Sequence, residues 1–185
     1  MADPECNESD LDDGRDDGEW RSRYTLGAWI QISIELTYLC VLLIGCIILL
    51  WDAAAGELKD GIFQSTVFGV SLPAERVQWI ALAMAGMIGG TVFDLKWLYH
   101  SVAKASWNRD RLLWRLIVPW NSAMVSLFTG FLLASGIVPF LRNETFDDIY
   151  TLLGCGFVFG YFSDNILAAM QNFAQKIFGT LKADD

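Results

Sequence analysis

Residues 26–51 read LGAWIQISIELTYLCVLLIGCIILLW, and Glu35 is their only charged side chain. A helix of that length reaches roughly 39 Å, more than the roughly 30 Å hydrocarbon layer of a bilayer. The stretch predicts a membrane-crossing helix. Ala53, Ala54 and Ala55 follow it as small residues of the kind a leader peptidase cuts after. The apolar run nevertheless exceeds the roughly 7–15 residues of a signal peptide's apolar region, and an Asp-rich stretch precedes it. The reading is a retained first span.

Further along, apolar runs at about 77–99, at about 112–141 with Pro119 near its start, and at about 149–162 predict three more spans, the last of them the shortest. Composition agrees: 54% of residues are hydrophobic and 19% charged, with eight Trp and twelve Phe, where a soluble domain carries roughly a quarter charged residues. Most of the Trp positions fall near predicted span ends, as interfacial anchors do.

The net charge of −9 belongs largely to one end, since nine of the 22 acids lie in the first 19 residues. Residues 1–23 read as a disordered acidic cytoplasmic tail. Its DLDDGRDDGE run does not fit an EF-hand, because counting from Asp10 the fifth ligand position is Gly14. The balance argues against nucleic acid, which needs a basic face. Cys6, Cys40, Cys46 and Cys155 form no CxxC, and His100 is the only histidine. No metal site and no disulfide framework is expected, and the cysteines within the spans read as small hydrophobes. GxSxG, P-loop, HExxH and dinucleotide patterns are all missing from the sequence. No catalytic residue, no cofactor and no enzymatic activity is expected.

Lys and Arg set the direction. Arg15, Arg21, Arg23, Lys96, Lys104, Arg109, Arg111, Arg115, Lys176 and Lys182 fall on one side, and Lys59, Arg76 and Arg142 on the other. A multi-pass protein of the inner or plasma membrane with both termini cytoplasmic is expected. Residues 52–76 form an outer loop whose apolar piece at 62–70 lies at the interface or caps the bundle.

Lipid offers no hydrophobic drive between helices, so close contact through small residues and hydrogen bonds must hold them together. Such residues recur at helical spacing: Ala81, Ala85 and Gly89, with Gly86 and Gly90 beside them; Ser122, Ser126, Gly130 and Ala134; and Gly156 with Gly160. These stripes suit packing within the chain or against a second copy.

After Ser163, Ile166, Met170, Phe173 and Ile177 share one helical face, while Asn165, Gln171, Asn172, Gln175 and Lys176 fall on the other. This predicts an amphipathic helix over 163–181 in the headgroup plane, capped by Ser163 or Asp164. The alternative is a continuous helix projecting into the cytoplasm.

Glu35 stands out because ionisable groups inside a membrane need a partner or water. Gln31 lies one turn away, Asn121 at similar depth and Lys96 within snorkelling reach, with Asp94 nearer the inner surface. These five residues form a candidate polar cluster, read either as interhelical glue, with Glu35 neutral or paired to Lys96, or as a proton-sensitive or ion-conducting site.

Three blocks carry a family likeness: LPAERVQWIALAMAGMIGGTVFDLKWLYHSVA at 72–103, LLWRLIVPWNSAM at 112–124 and GYFSDNILAAMQNFAQKIFGTL at 160–181. Together they resemble a family of small, uncharacterised prokaryotic multi-pass membrane proteins. Gly86, Gly89, Gly90, Lys96, Trp114, Pro119, Gly160, Phe162, Ser163 and Asp164 fit its pattern. Phe93 stands where that family commonly has His, and Val118 where it has Arg before the proline. The resemblance implies a fold and a membrane location, and no reaction.

The expected fold is therefore all-α: four transmembrane helices plus a C-terminal amphipathic interfacial helix. The expected function is a non-enzymatic membrane anchor, sensor or scaffold whose partners are the lipid bilayer and a cytoplasmic protein. The alternative is a homo-oligomeric pore or permeability effector.

Overall fold

The computed structural model describes residues 22, 24–55, 57–59, 62–64, 69, 71–135 and 148–179. The acidic tail, apart from Ser22, lies outside them, as do 136–147 and everything after 179. Five α-helices dominate: α1 (Leu26–Ala55), α2 (Ala74–Ala103), α3 (Leu112–Ala134), α4 (Ile149–Tyr161) and α5 (Ser163–Phe178). Three of them are long and apolar enough to cross a membrane. The pair α4 and α5 meets the same criterion together, but bends by 80° at Phe162. The α3 helix runs to Ala134 with Ser135 as its C-cap, and the rest of the predicted run to 141 lies outside the described residues.

Between α1 and α2 the expected loop contains a small antiparallel sheet of β1 (Glu57–Lys59), β2 (Ile62–Gln64) and β3 (Ser71–Pro73). Phe63 pairs with Leu58 on one side and Leu72 on the other. The sheet leads directly into α2, whose N-cap is Pro73. A proline here loses no hydrogen bond, because the first N–H groups of a helix have no partner within it.

The hub is α2, which packs on α1, α3 and α4. Half of its apolar window is buried, against 22% for α1. Close approach to α4 depends on residues without a side chain. A Cβ on Gly160 would run into the Gly86 backbone, and one on Gly89 into the backbone of Phe157 and Tyr161. On the α3 side, Gly86 faces Ser126 and Gly90 faces Ser122. The Ser126 hydroxyl lies within hydrogen-bond distance of both the Leu82 carbonyl (3.2 Å) and the Gly156 carbonyl (3.3 Å), bringing three helices together at one atom. Ala81, Leu82, Leu133 and Leu152 fill the space beside it. Cys46, Met87 and Ala123 form a second apolar cluster, with the Cys46 sulfur 3.5 Å from that of Met87.

The cap expected at Ser163 takes a different form. Phe162 is the N-cap of α5 and no side chain caps it. Ser163 is buried, and its hydroxyl meets that of Ser122 at 3.1 Å, so the α4–α5 bend is pinned to α3. Asp164 is exposed in the first turn of α5, where a negative charge suits the positive end of the helix dipole.

Candidate functional site

The polar centre of the fold is built where the start of α3 meets α1 and the α2–α3 connection. Arg115 and Glu35 are both buried, and Arg115 Nη1 donates to Glu35 Oε2 at 2.7 Å. The Trp107 indole N–H donates to the same oxygen at 3.3 Å. The Arg115 guanidinium also lies over the Trp107 ring, 5.9 Å from its centroid, where the negative face of an indole attracts a cation. Asp94 is fully buried, and Arg115 and Glu35 are the charges that act on it. Among the described residues neither Asp94 oxygen has a hydrogen-bond partner, and Glu35 Oε1 also has none. Arg115 thus pairs with Glu35 alone among the described residues, and Asp94 lies within electrostatic reach of both, which leaves one surplus negative charge when all three are ionised.

Local chain geometry holds Trp107 over this pair. The end of α2 closes as a Schellman turn: Ala105 N–H donates to the Val102 carbonyl (3.2 Å) and Ser106 N–H to the Ser101 carbonyl (2.9 Å). Ala105 takes the left-handed conformation, φ 51°, where glycine is the usual residue. Tyr24 clasps the turn. Its hydroxyl donates to the Ser101 carbonyl (3.2 Å) and accepts the Trp107 backbone N–H (3.1 Å), and its ring meets that of Trp107 edge-on. Asn108 then caps the short 3₁₀ turn Arg109–Arg111 by accepting the Asp110 N–H at 3.0 Å.

Of the residues expected to surround Glu35, only Asp94 shares its buried centre. Gln31 is half-buried, and Lys96 and Asn121 are exposed. The expected pairing with Lys96 is therefore corrected: the partner of Glu35 is Arg115. Asn121 fails for a geometric reason, since one residue along a helix is about 100° around it; its neighbour Ser122 is the one facing inward. Ser33 and Thr37 return their hydroxyls to carbonyls one turn earlier in α1, at 2.8 and 2.7 Å.

Arg115, Trp107 and Tyr24 were not singled out as site residues. The sequence carried a signal for the first. Arg115, Pro119, Ser122 and Ser126 recur at helical spacing, and all four are buried on one face of α3. Pro119 has no N–H to give the Arg115 carbonyl, and one residue further on Tyr38 donates its hydroxyl to the Leu116 carbonyl at 3.1 Å.

The arrangement can join helices and store charge. Among the described residues no group of three or more His, Cys, Asp or Glu side chains could hold a metal ion. No family model, no curated protein and no solved structure matches this chain. Its chemistry has to be argued from its own residues.

Proposed function

We propose that this protein is a non-enzymatic integral membrane protein that anchors or scaffolds a cytoplasmic partner, with α1, α2 and α3 crossing the bilayer and the bent α4–α5 pair supplying a fourth crossing and an interfacial platform. The observation that carries this reading is the 80° turn out of α4. It leaves Asn165, Gln171, Asn172, Gln175 and Lys176 exposed, with Ile166, Met170 and Ala174 half-buried beneath. A helix with that division suits the headgroup plane, its apolar side toward the acyl chains. Lys104, Arg109, Arg111 and Lys176 are exposed, and chain order puts them all after crossings that the charge rule directs to the cytoplasm.

A pore needs polar groups facing a path, and here the strongest ones, Glu35, Asp94 and Arg115, are buried within a single chain. That favours the scaffold over the permeability effector. Two measurements test it. Cysteines placed at Asn108 and Gln171 should react with a membrane-impermeant maleimide only after the cytoplasmic side is opened, and one at Gly69 only from the opposite side. A photo-crosslinker at Gln171 in intact cells should trap one discrete soluble protein. Ion leak from liposomes holding the purified chain alone, or labelling of Asn108 and Gly69 from the same side, refutes the reading.

A further inference from the structure

We infer that the cleft at the end of α2, lined by Lys96, His100 and Lys104, binds the headgroup of an anionic phospholipid. The inference deepens the membrane reading above and rests on it. The three basic residues recur every four positions, which sets them in one row along α2. They border a cleft of about 330 Å³, within the roughly 300–1,000 Å³ range of small-molecule sites. Among the described residues that line it no side chain is acidic, so a phosphate there touches no carboxylate.

The cleft also has an apolar end. Phe93 and Trp97 line it together with the basic row. Phe93 meets Trp97 and, across the helix pair, Tyr161 of α4 in edge-on contacts, with ring centroids 6.5 and 5.8 Å apart. From Phe93 to Lys104 is roughly 16 Å along the helix axis. One wall thus begins with Phe93, interleaves Lys96 and His100 with Trp97, and ends with Lys104, over about the span from the upper acyl chain to the phosphate. A free phosphate would use only the lysine end. A phospholipid uses both, and basic pockets beside membrane-crossing helices on the cytoplasmic side hold such headgroups.

Snorkelling alone does not account for this arrangement. Lysines that merely reach for water need no concave wall, whereas here Ser106, carried back by the Schellman turn, joins the lining of the cleft.

The test uses the full chain in detergent, with native mass spectrometry counting retained lipid. Phosphatidylglycerol should be retained about tenfold more than phosphatidylcholine of the same acyl chains, and Lys96→Gln/Lys104→Gln should abolish most of that preference. Arg76→Gln, exposed at the opposite end of α2, should leave it intact. Both substituted lysines are exposed, and an unchanged helical circular dichroism spectrum and melting point show that the double variant remains folded. Equal retention of the two lipids, or a preference that survives the double substitution, overturns the inference. Displacement of phosphatidylglycerol by millimolar inorganic phosphate assigns the cleft to a free anion and overturns the lipid. Carbonate washing separates this failure from that of the parent reading. A chain released from vesicles refutes membrane insertion itself, whereas one retained without lipid preference refutes only the headgroup site.

Discussion

Arg115 and Glu35 meet at 2.7 Å from positions 80 residues apart, with their side chains only 5% and 2% exposed. Removing one member of such a pair leaves an uncompensated buried charge, which is destabilising by about 3–5 kcal/mol. For Arg115→Gln the situation is worse than for an isolated pair, because Asp94 also lies within electrostatic reach of the lost cation. We expect that variant to lose about 3–5 kcal/mol in reversible unfolding in mixed micelles. Adding Glu35→Gln should recover part of the loss, since the second substitution removes one of the two stranded acids. A single-variant loss below about 1 kcal/mol, the range of an exposed pair, would show that the pair is solvated.

Asp94 gives the opposite expectation. It is wholly buried and neither oxygen has a partner among the described residues. Asn keeps its shape and removes the surplus charge, so Asp94→Asn should be neutral or stabilising. Glu35→Gln alone should cost less than Arg115→Gln, because Asp94 stays within electrostatic reach of the arginine whereas loss of the arginine strands two acids. Together the two substitutions strand the arginine, and their joint effect should exceed the sum of the single effects by about 1–3 kcal/mol. Additivity in that double-mutant cycle would mean that Asp94 does not share Arg115 with Glu35.

Why the sequence showed the helices and not this pairing follows from what each signal measures. Hydropathy over some 20 positions is an average, and it survives single polar residues; the helical class was legible for that reason. Glu35 stood out as the only charge in its run, but its partner had to be chosen from residues whose rotation about their helices was unknown. Arg115 was counted as a topological charge at the start of a span, although its spacing to Ser122 and Ser126 placed it on the inward stripe. The three short strands were missed because three residues hold too little alternation to mark a strand. The Ser163 hydroxyl was read against its own helix, whereas the structure turns it toward Ser122, a contact that requires knowing how α3 and α5 meet.

Ala105 holds a left-handed backbone, φ 51°, at the close of α2. For an L-residue with a Cβ that conformation costs about 1–2 kcal/mol, and glycine takes it freely. Some of that gain is offset by the greater entropy of glycine in the unfolded chain. Ala105→Gly should therefore raise stability by about 0.5–1 kcal/mol, seen as a higher midpoint in thermal unfolding. A lower midpoint would mean that the Ala105 methyl, which is half-buried, contributes more through packing than the strain removes.

At the other end of the bundle Asp148 caps α4, accepting from the Thr151 hydroxyl at 2.6 Å and the Thr151 N–H at 2.9 Å. These bonds favour the carboxylate and hold its pKa below the usual aspartate value, the hydroxyl bond being the largest cause. A depressed folded-state pKa means that the cap contributes fully above the ordinary aspartate range and is lost as pH falls through the lowered value. The stability difference between the wild type and Asp148→Ala should accordingly be constant near neutral pH and vanish in acid. Asp148→Asn should lie between them at neutral pH, because an amide oxygen still caps but carries no charge. A difference independent of pH would remove the carboxylate from the account.

Among the described glycines Gly160 has the tightest surroundings. A Cβ at Gly160 would overlap the carbonyl oxygen, carbon and Cα of Gly86, all backbone, with no flexible side chain to swing away. Gly154, six residues earlier on the same helix, has nothing within 4 Å of the equivalent position. Alanine is the better helix former by about 0.8–1 kcal/mol wherever there is room. Gly154→Ala should therefore hold or raise stability, whereas Gly160→Ala must push α4 away from α2 and lose at least the roughly 1–3 kcal/mol of an overpacked core. Because Ser163 lies three residues beyond Gly160 and bonds Ser122 on α3, the same displacement should loosen the α4–α5 bend. Faster hydrogen exchange at Ser163 to Leu167 in Gly160→Ala, and unchanged exchange there in Gly154→Ala, is the expected pair of results. Equal behaviour of the two variants would show that α2 and α4 do not touch backbone to backbone.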